Sequence, residues 1–127
     1  MTRRQRLTCD RRQARGRLVS AQDFLDAAEL AQSHGLHDPA CSNAVLAGVA
    51  AVDALCCALL GERAADHDQA IKLVESVDRD AAARFRRLAG LKYRAQYDHR
   101  PVTESEVKTA IRAAEALLER ARRELAE

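Results

Sequence analysis

The chain has 127 residues, 47% of them apolar, which suits one globular domain with one modest core and excludes a largely disordered protein. Aromatic residues make up only 3%, with no Trp and two Pro, so the core must come from Ala, Leu and Val. That composition favours closely packed helices over sheets, which draw on β-branched and aromatic residues. The net charge of +2 hides an asymmetry: residues 1–17 hold seven Arg against one Asp, a balance of +6 that leaves −4 for the remainder.

Residues 1–17 are expected to form a flexible basic arm, because they offer few large apolar groups to bury. A single helical domain is expected over residues 18–127. Its first helix is placed near Ser20, where Ser20-Ala-Gln-Asp23 resembles a capping box and Phe24, Ala27, Ala28 and Ala31 share a face. Gly35 is a plausible stop. Asp38-Pro39 then reads as an N-cap followed by a proline at the first helical position. The helix it opens is expected to run to about Leu60, with Gly61 beyond. Val45, Val49, Val52, Cys56 and Leu59 form one stripe, and Leu46, Ala50, Ala54, Cys57 and Leu60 a second beside it. A helix apolar over so wide an arc belongs at the centre of the fold. Asp53 interrupts it and, if buried, needs a partner.

A short helical segment is predicted over residues 68–75, with Ile71 and Val74 apolar. Asp78-Arg-Asp80 restarts the chain as a helix with Phe85, Leu88 and Leu91 on its core face, ending near Gln96. Thr103-Glu-Ser-Glu106 is a capping box. Behind it Val107, Ile111, Ala114, Leu118, Ala121 and Leu125 follow 4-3-4-3-4 spacing, so the last helix packs along most of its length. The prediction is an all-α, up-down four-helix bundle with one additional short helix and no β-hairpin.

No apolar run reads as a membrane span and no apolar stretch follows the N-terminal charges, so neither a membrane nor a secretory signal is expected. Cys9, Cys41, Cys56 and Cys57 do not form a recognisable disulfide framework. They are read as reduced thiols of a cytoplasmic protein.

Three constellations bear on chemistry. His34, His37 and Cys41 have the residue types of zinc ligands, with Cys9, His67 or His99 available as a fourth. No second close ligand pair accompanies them, so no metal is expected. The Arg-rich arm can neutralise phosphates but has no interleaved aromatics to stack bases. The third lies in LKYRAQYDHRP, residues 91–101, where Lys92, Arg94, His99 and Arg100 gather near a helix end. Arg94 can hold a phosphate bidentately, and His99 has the chemistry of a general acid or base. The ordinary alternative is a helix C-terminus whose cations offset the dipole, followed by a turn made by Asp98 and Pro101, and on residues alone it outweighs the other. Gly-rich phosphate loops, Gly-x-Ser-x-Gly and His-Glu-x-x-His are missing from the sequence, so a conventional hydrolase is not indicated and no cofactor is expected.

Three stretches carry a family resemblance: the Ala-rich helix NAVLAGVAAVDALCCALLGE with its connector RAADHDQAIKLVESV, then FRRLAGLKYRAQYD, then VTESEVKTAIRAAEALLERA. In this order and spacing they resemble the HEPN superfamily, the higher eukaryotes and prokaryotes nucleotide-binding domain, over residues 20–126. The resemblance implies a helical bundle that commonly dimerises. Many members are toxins of toxin–antitoxin or abortive-infection systems, often beside a nucleotidyltransferase-like antitoxin partner. Catalytic members are ribonucleases with an Arg-x4–6-His motif, which Arg94 and His99 match by position. Two positions depart from the pattern: Ala95 stands where active members place a polar residue, and Pro101 where some carry a Tyr. The resemblance therefore favours a homodimeric module that binds RNA or a nucleotide through Lys92, Arg94, Tyr97 and Arg100. The alternative is a metal-independent endoribonuclease using Arg94 and His99. A purely structural dimer is a third reading.

Overall fold

The computed structural model describes residues 6–126. Its elements are β1 (Arg6–Thr8), α1 (Arg11–Ser33), α2 (His37–Leu60), β2 (Glu62–Ala64), α3 (His67–Glu75), α4 (Arg79–Gln96) and α5 (Glu104–Leu125). Four long helices and one short one make the predicted all-α bundle, with α2 packed against the other four.

The core is built as the composition requires. Ala, Val and Leu dominate it, and Phe85, Leu55, Leu88, Leu117 and Leu118 are its largest fully buried side chains. All six residues of the α5 stripe, Val107 to Leu125, are buried, and Thr103 and Glu106 form the expected capping box. Along α2 the small residues let neighbouring backbones approach. At Gly48 an added Cβ would overlap Leu88 Cδ1 of α4, so any larger residue there requires the Leu88 side chain to shift. By length and hydropathy α2 has the makings of a membrane span, contrary to the expectation above, with a mean hydropathy of 2.0 over its best window. Yet 67% of that window is buried inside the bundle, as in the core helix of a water-soluble fold.

The N-terminal region departs most from the sequence reading. α1 begins at Arg11, not near Ser20. Its N-cap is Asp10, which accepts from the Gln13 N–H at 2.8 Å while the Gln13 side chain accepts from the Asp10 N–H at 2.9 Å. A capping box with Gln satisfies two helix-end donors as well as one with Glu. Ala14 is fully buried, so the bundle starts inside the presumed arm; residues 1–5 of that arm lie outside the described residues. β1 pairs antiparallel with β2 in the register Arg6↔Ala64, Leu7↔Arg63, Thr8↔Glu62. These strands are three residues long and far apart in sequence, so no hairpin turn announces them.

A disulfide joins Cys9 to Cys57 and overturns the expectation of four reduced thiols. Gly61 ends α2 in the left-handed region at φ 69°, and its carbonyl accepts from the Cys9 N–H at 2.9 Å. That contact sets the two Cα atoms 5.5 Å apart, within the range a disulfide bridges. Cys41 and Cys56 remain as buried free thiols.

Asp53 is buried, as anticipated for its place in α2, and it has partners. The Arg17 guanidinium lies 3.3 Å and the Arg63 guanidinium 3.9 Å from its Oδ2. Arg17, expected in the arm, lies on α1 and reaches the buried Asp53.

Candidate functional site

The segment between α4 and α5 is set by its helix ends. α4 stops at Gln96, where the Tyr97 and Asp98 N–H groups both donate to the Tyr93 carbonyl, and Thr103 caps α5. Between them Val102 is buried and fixes the loop to α2. Its N–H donates to Asp38 Oδ1 at 2.8 Å, and His37 Nδ1 lies 3.1 Å from its carbonyl. Asp38 is therefore not the N-cap predicted for α2. The helix begins two residues earlier than predicted, at His37, with Leu36 in the cap position and no side-chain cap. In the first turn, Asp38 is free to reach the loop.

Arg94 organises the rest. Its Nε donates to Glu106 Oε2 at 3.0 Å and its Nη2 to Glu106 Oε1 at 2.5 Å, a bidentate pair. Nη1 donates to Asp98 Oδ2 at 3.0 Å and to the Arg100 carbonyl at 3.0 Å; Nη2 also donates to the Pro101 carbonyl at 3.3 Å. A guanidinium has five N–H donors, and all five are used within the loop and the first turn of α5. Glu106 serves both the capping box and this clasp, since Oε1 also accepts from the Thr103 N–H at 2.9 Å. The Arg94 hydrogen bond, followed by that from the Thr103 N–H, lowers the Glu106 pKa to about 2. The Arg100 N–H and then the Arg94 guanidinium lower Asp98 to about 2 as well. The two carboxylates in turn raise the Arg94 pKa.

Around this clasp the loop exposes a different set. The His99 side chain is 90% exposed, with Nδ1 3.3 Å from Asp98 Oδ1. Arg100 is 71% exposed and pairs with Asp98 Oδ2 at 3.4 Å. Tyr93 and Tyr97 are exposed and stand as a ring pair with centroids 5.7 Å apart. The structure thus gathers Arg94, His99 and Arg100 around Asp98, with Tyr97 at the helix end beside them. Lys92 lies elsewhere: it lines a cavity of about 460 Å³ with Asp66, His67, Asp68 and Gln69 at the start of α3. There burial, and then the Lys92 charge, lower the His67 pKa.

Sequence reasoning assigned Glu106 to capping alone and Asp98 to a turn. The up-down bundle made α4 and α5 antiparallel neighbours but did not fix the side-chain register that brings Glu106 to Arg94. The i,i+4 spacing of Arg94 and Asp98 was a usable signal. Tyr93 was also passed over, although it lies four residues before Tyr97 on the same helical face.

His34, His37 and Cys41 do not converge on a metal site. His37 is engaged with Val102, and Cys9 is consumed by the disulfide. Burial, then the Glu106 and Asp38 charges, push the Cys41 thiol up to about 11. Its Sγ–H lies 3.8 Å from the Leu91 carbonyl. Among the described residues no group of three or more His, Cys, Asp or Glu could hold a metal ion.

Compared with known proteins, the chain matches a family model described as HEPN domain over residues 14–124. No curated protein matches it.

Proposed function

The chain belongs to the HEPN domain family, and on that premise we propose that it is a binding module for single-stranded RNA or a nucleotide. The observation that carries this reading is the full commitment of Arg94: its five donors hold the loop, while Tyr93, Tyr97, His99 and Arg100 face solvent around it. Arg94 is a positioning residue. Tyr97, with Tyr93 behind it, offers a ring for base stacking, and Arg100 offers a guanidinium for a phosphate. Lys92, placed against α3, is left out of the contact set.

A homodimer, in which two such loops would line one cleft, belongs to the same proposal, as do a cytoplasmic location and a role beside a nucleotidyltransferase-like antitoxin. In the cytoplasm the Cys9–Cys57 bond would have to form against a reducing thiol pool.

Titration of a fluorescent single-stranded RNA tests the reading. Tyr97→Ala is expected to weaken binding about ten-fold, within the range measured for loss of one stacked base. Equal affinity in wild type and variant would overturn the assignment of the surface.

One observation favours a ribonuclease as the second reading. Asp98 Oδ1 orients the exposed His99 ring through Nδ1, leaving Nε2 open to solvent for proton transfer. That reading requires Arg94 to leave its carboxylates when a phosphate arrives.

A further inference from the structure

Three arginines outside the loop face one another across the α4–α5 surface. Arg84 and Arg87 on α4, with Thr109, Arg112 and Ala113 on α5, line a cavity of about 230 Å³. All three guanidinium-bearing residues are exposed, and none makes an ion pair or side-chain hydrogen bond among the described residues. Glu115, one turn beyond Arg112, makes no ion pair with it.

The neighbouring cavity shows that this is not the rule for the surface. It shares Arg84 and holds Arg120 and Arg123, but Asp78, Asp80 and Glu119 line it too, so its formal charges cancel. Arg120 there is bound to Asp78 at 2.8 Å and Glu124 at 3.0 Å. No carboxylate lines the smaller cavity, which carries three positive charges and the Thr109 hydroxyl. Cations gathered without a counter-charge repel one another and concentrate anions from solution.

Size narrows the ligand. Pockets for drug-sized molecules begin at roughly 300 Å³, so this one suits a small group better than a whole nucleoside. Arginine forks match the oxygens of a phosphate in pairs, and a threonine hydroxyl can donate to a third.

We propose that the Arg84–Arg87–Arg112 groove is a phosphate-binding site, holding a phosphoryl group of a free nucleotide or of an RNA backbone, with Thr109 as a further donor. The site lies along the same helix pair as the Arg94 loop; Arg87 is two helical turns, about 10 Å, before Arg94. It shares no residue with the loop surface and does not depend on that reading.

Binding of ATP and of a single-stranded RNA oligonucleotide to the full chain tests the proposal, with wild type compared against Arg87→Gln/Arg112→Gln. The changes fall on exposed side chains without ion pairs, so the fold is expected to persist, as circular dichroism would verify. Arg79→Gln, an exposed arginine outside the groove, controls for the loss of a surface cation elsewhere, and Tyr97→Ala for the loop. The double variant is expected to lose at least ten-fold in affinity for one or both probes, and the probe affected identifies the source of the phosphate. The slope of log affinity against log salt should fall by about 1.4 for single-stranded RNA if both arginines contact phosphate. Affinity within two-fold of wild type for both probes, or a loss no greater than that caused by Arg79→Gln, would overturn it. A loss in Tyr97→Ala alone would leave the loop reading standing and this one refuted.

Discussion

Two clusters in this protein are made of the same parts, arginines around carboxylates, and they behave in opposite ways. At the α4–α5 loop, Arg94 is shared between Asp98 and Glu106, and hydrogen bonding dominates, so both carboxyl pKa values are lowered to about 2. At the other, Arg17 and Arg63 flank Asp53 in α2, but burial outweighs both cations and the Asp53 pKa is raised. A carboxylate that solvent still reaches gains from every donor aimed at it. One taken out of water must first recover its lost hydration, and two arginines at 3.3 and 3.9 Å do not complete that recovery.

The largest difference between the regions is covalent. Arg17 and Arg63 line one cavity with Cys9 and Cys57, whose bond joins residues 48 apart, and the loop has no such tie. In the chain-entropy model a closure of that length stabilises by about 4 kcal/mol. Cys9→Ser is therefore expected to lower unfolding free energy by up to about that amount in urea titration, while amide protection at Val102 stays as in wild type under native conditions. A variant as stable as wild type would show that the bond contributes little.

Next comes Arg17→Ala, which leaves Asp53 with Arg63 alone. Breaking a fully buried pair costs about 3–5 kcal/mol. Arg17 is one-third exposed, so a cost of about 2–3 kcal/mol is expected by chemical denaturation. Asp53→Asn in the same background should restore part of it, because the uncompensated charge is gone.

The smallest effect, and the sharpest contrast, is in pH. For Asp98 and Glu106 the folded-state pKa lies below the unfolded value, so their contribution is present above about pH 4 and is lost as pH falls towards 2. Asp53 has the reverse sign: its raised pKa means that stability falls as pH rises through and above the ordinary carboxylate range. Amide exchange, corrected for intrinsic rates, should show the Arg100 and Thr103 N–H groups losing protection between about pH 4 and 2. The first donates to Asp98 and the second to Glu106. Protection unchanged to pH 2 would refute the clasp.

The contrast also marks what could be read from sequence. The α5 capping box and stripe are local and periodic, so the helix was legible from Thr103 to Leu125. The need of Asp53 for a partner was legible too, because a charge in so apolar a helix is conspicuous. Its partners were not, since Arg17 and Arg63 reach it only after α1 and β2 pack. Asp38-Pro39 misled for a related reason: the helix-start signal lay two residues past the actual cap position, and its carboxylate was drawn to Val102 instead. At the candidate site, Arg94, His99 and Arg100 were singled out because they gather near one helix end in the sequence. That Arg94 would be fully occupied depends on Glu106 facing it from another helix, which no local pattern encodes.

The central claim is that the loop held by Arg94 presents a binding surface and does not cut. Wild-type protein incubated with single-stranded RNA in EDTA, with bound and cleaved fractions read from the same sample, tests it most directly. The account predicts RNA bound and intact. RNA cleaved by the wild type, and spared by a folded His99→Ala variant, would contradict it and make Arg94 and His99 a catalytic pair.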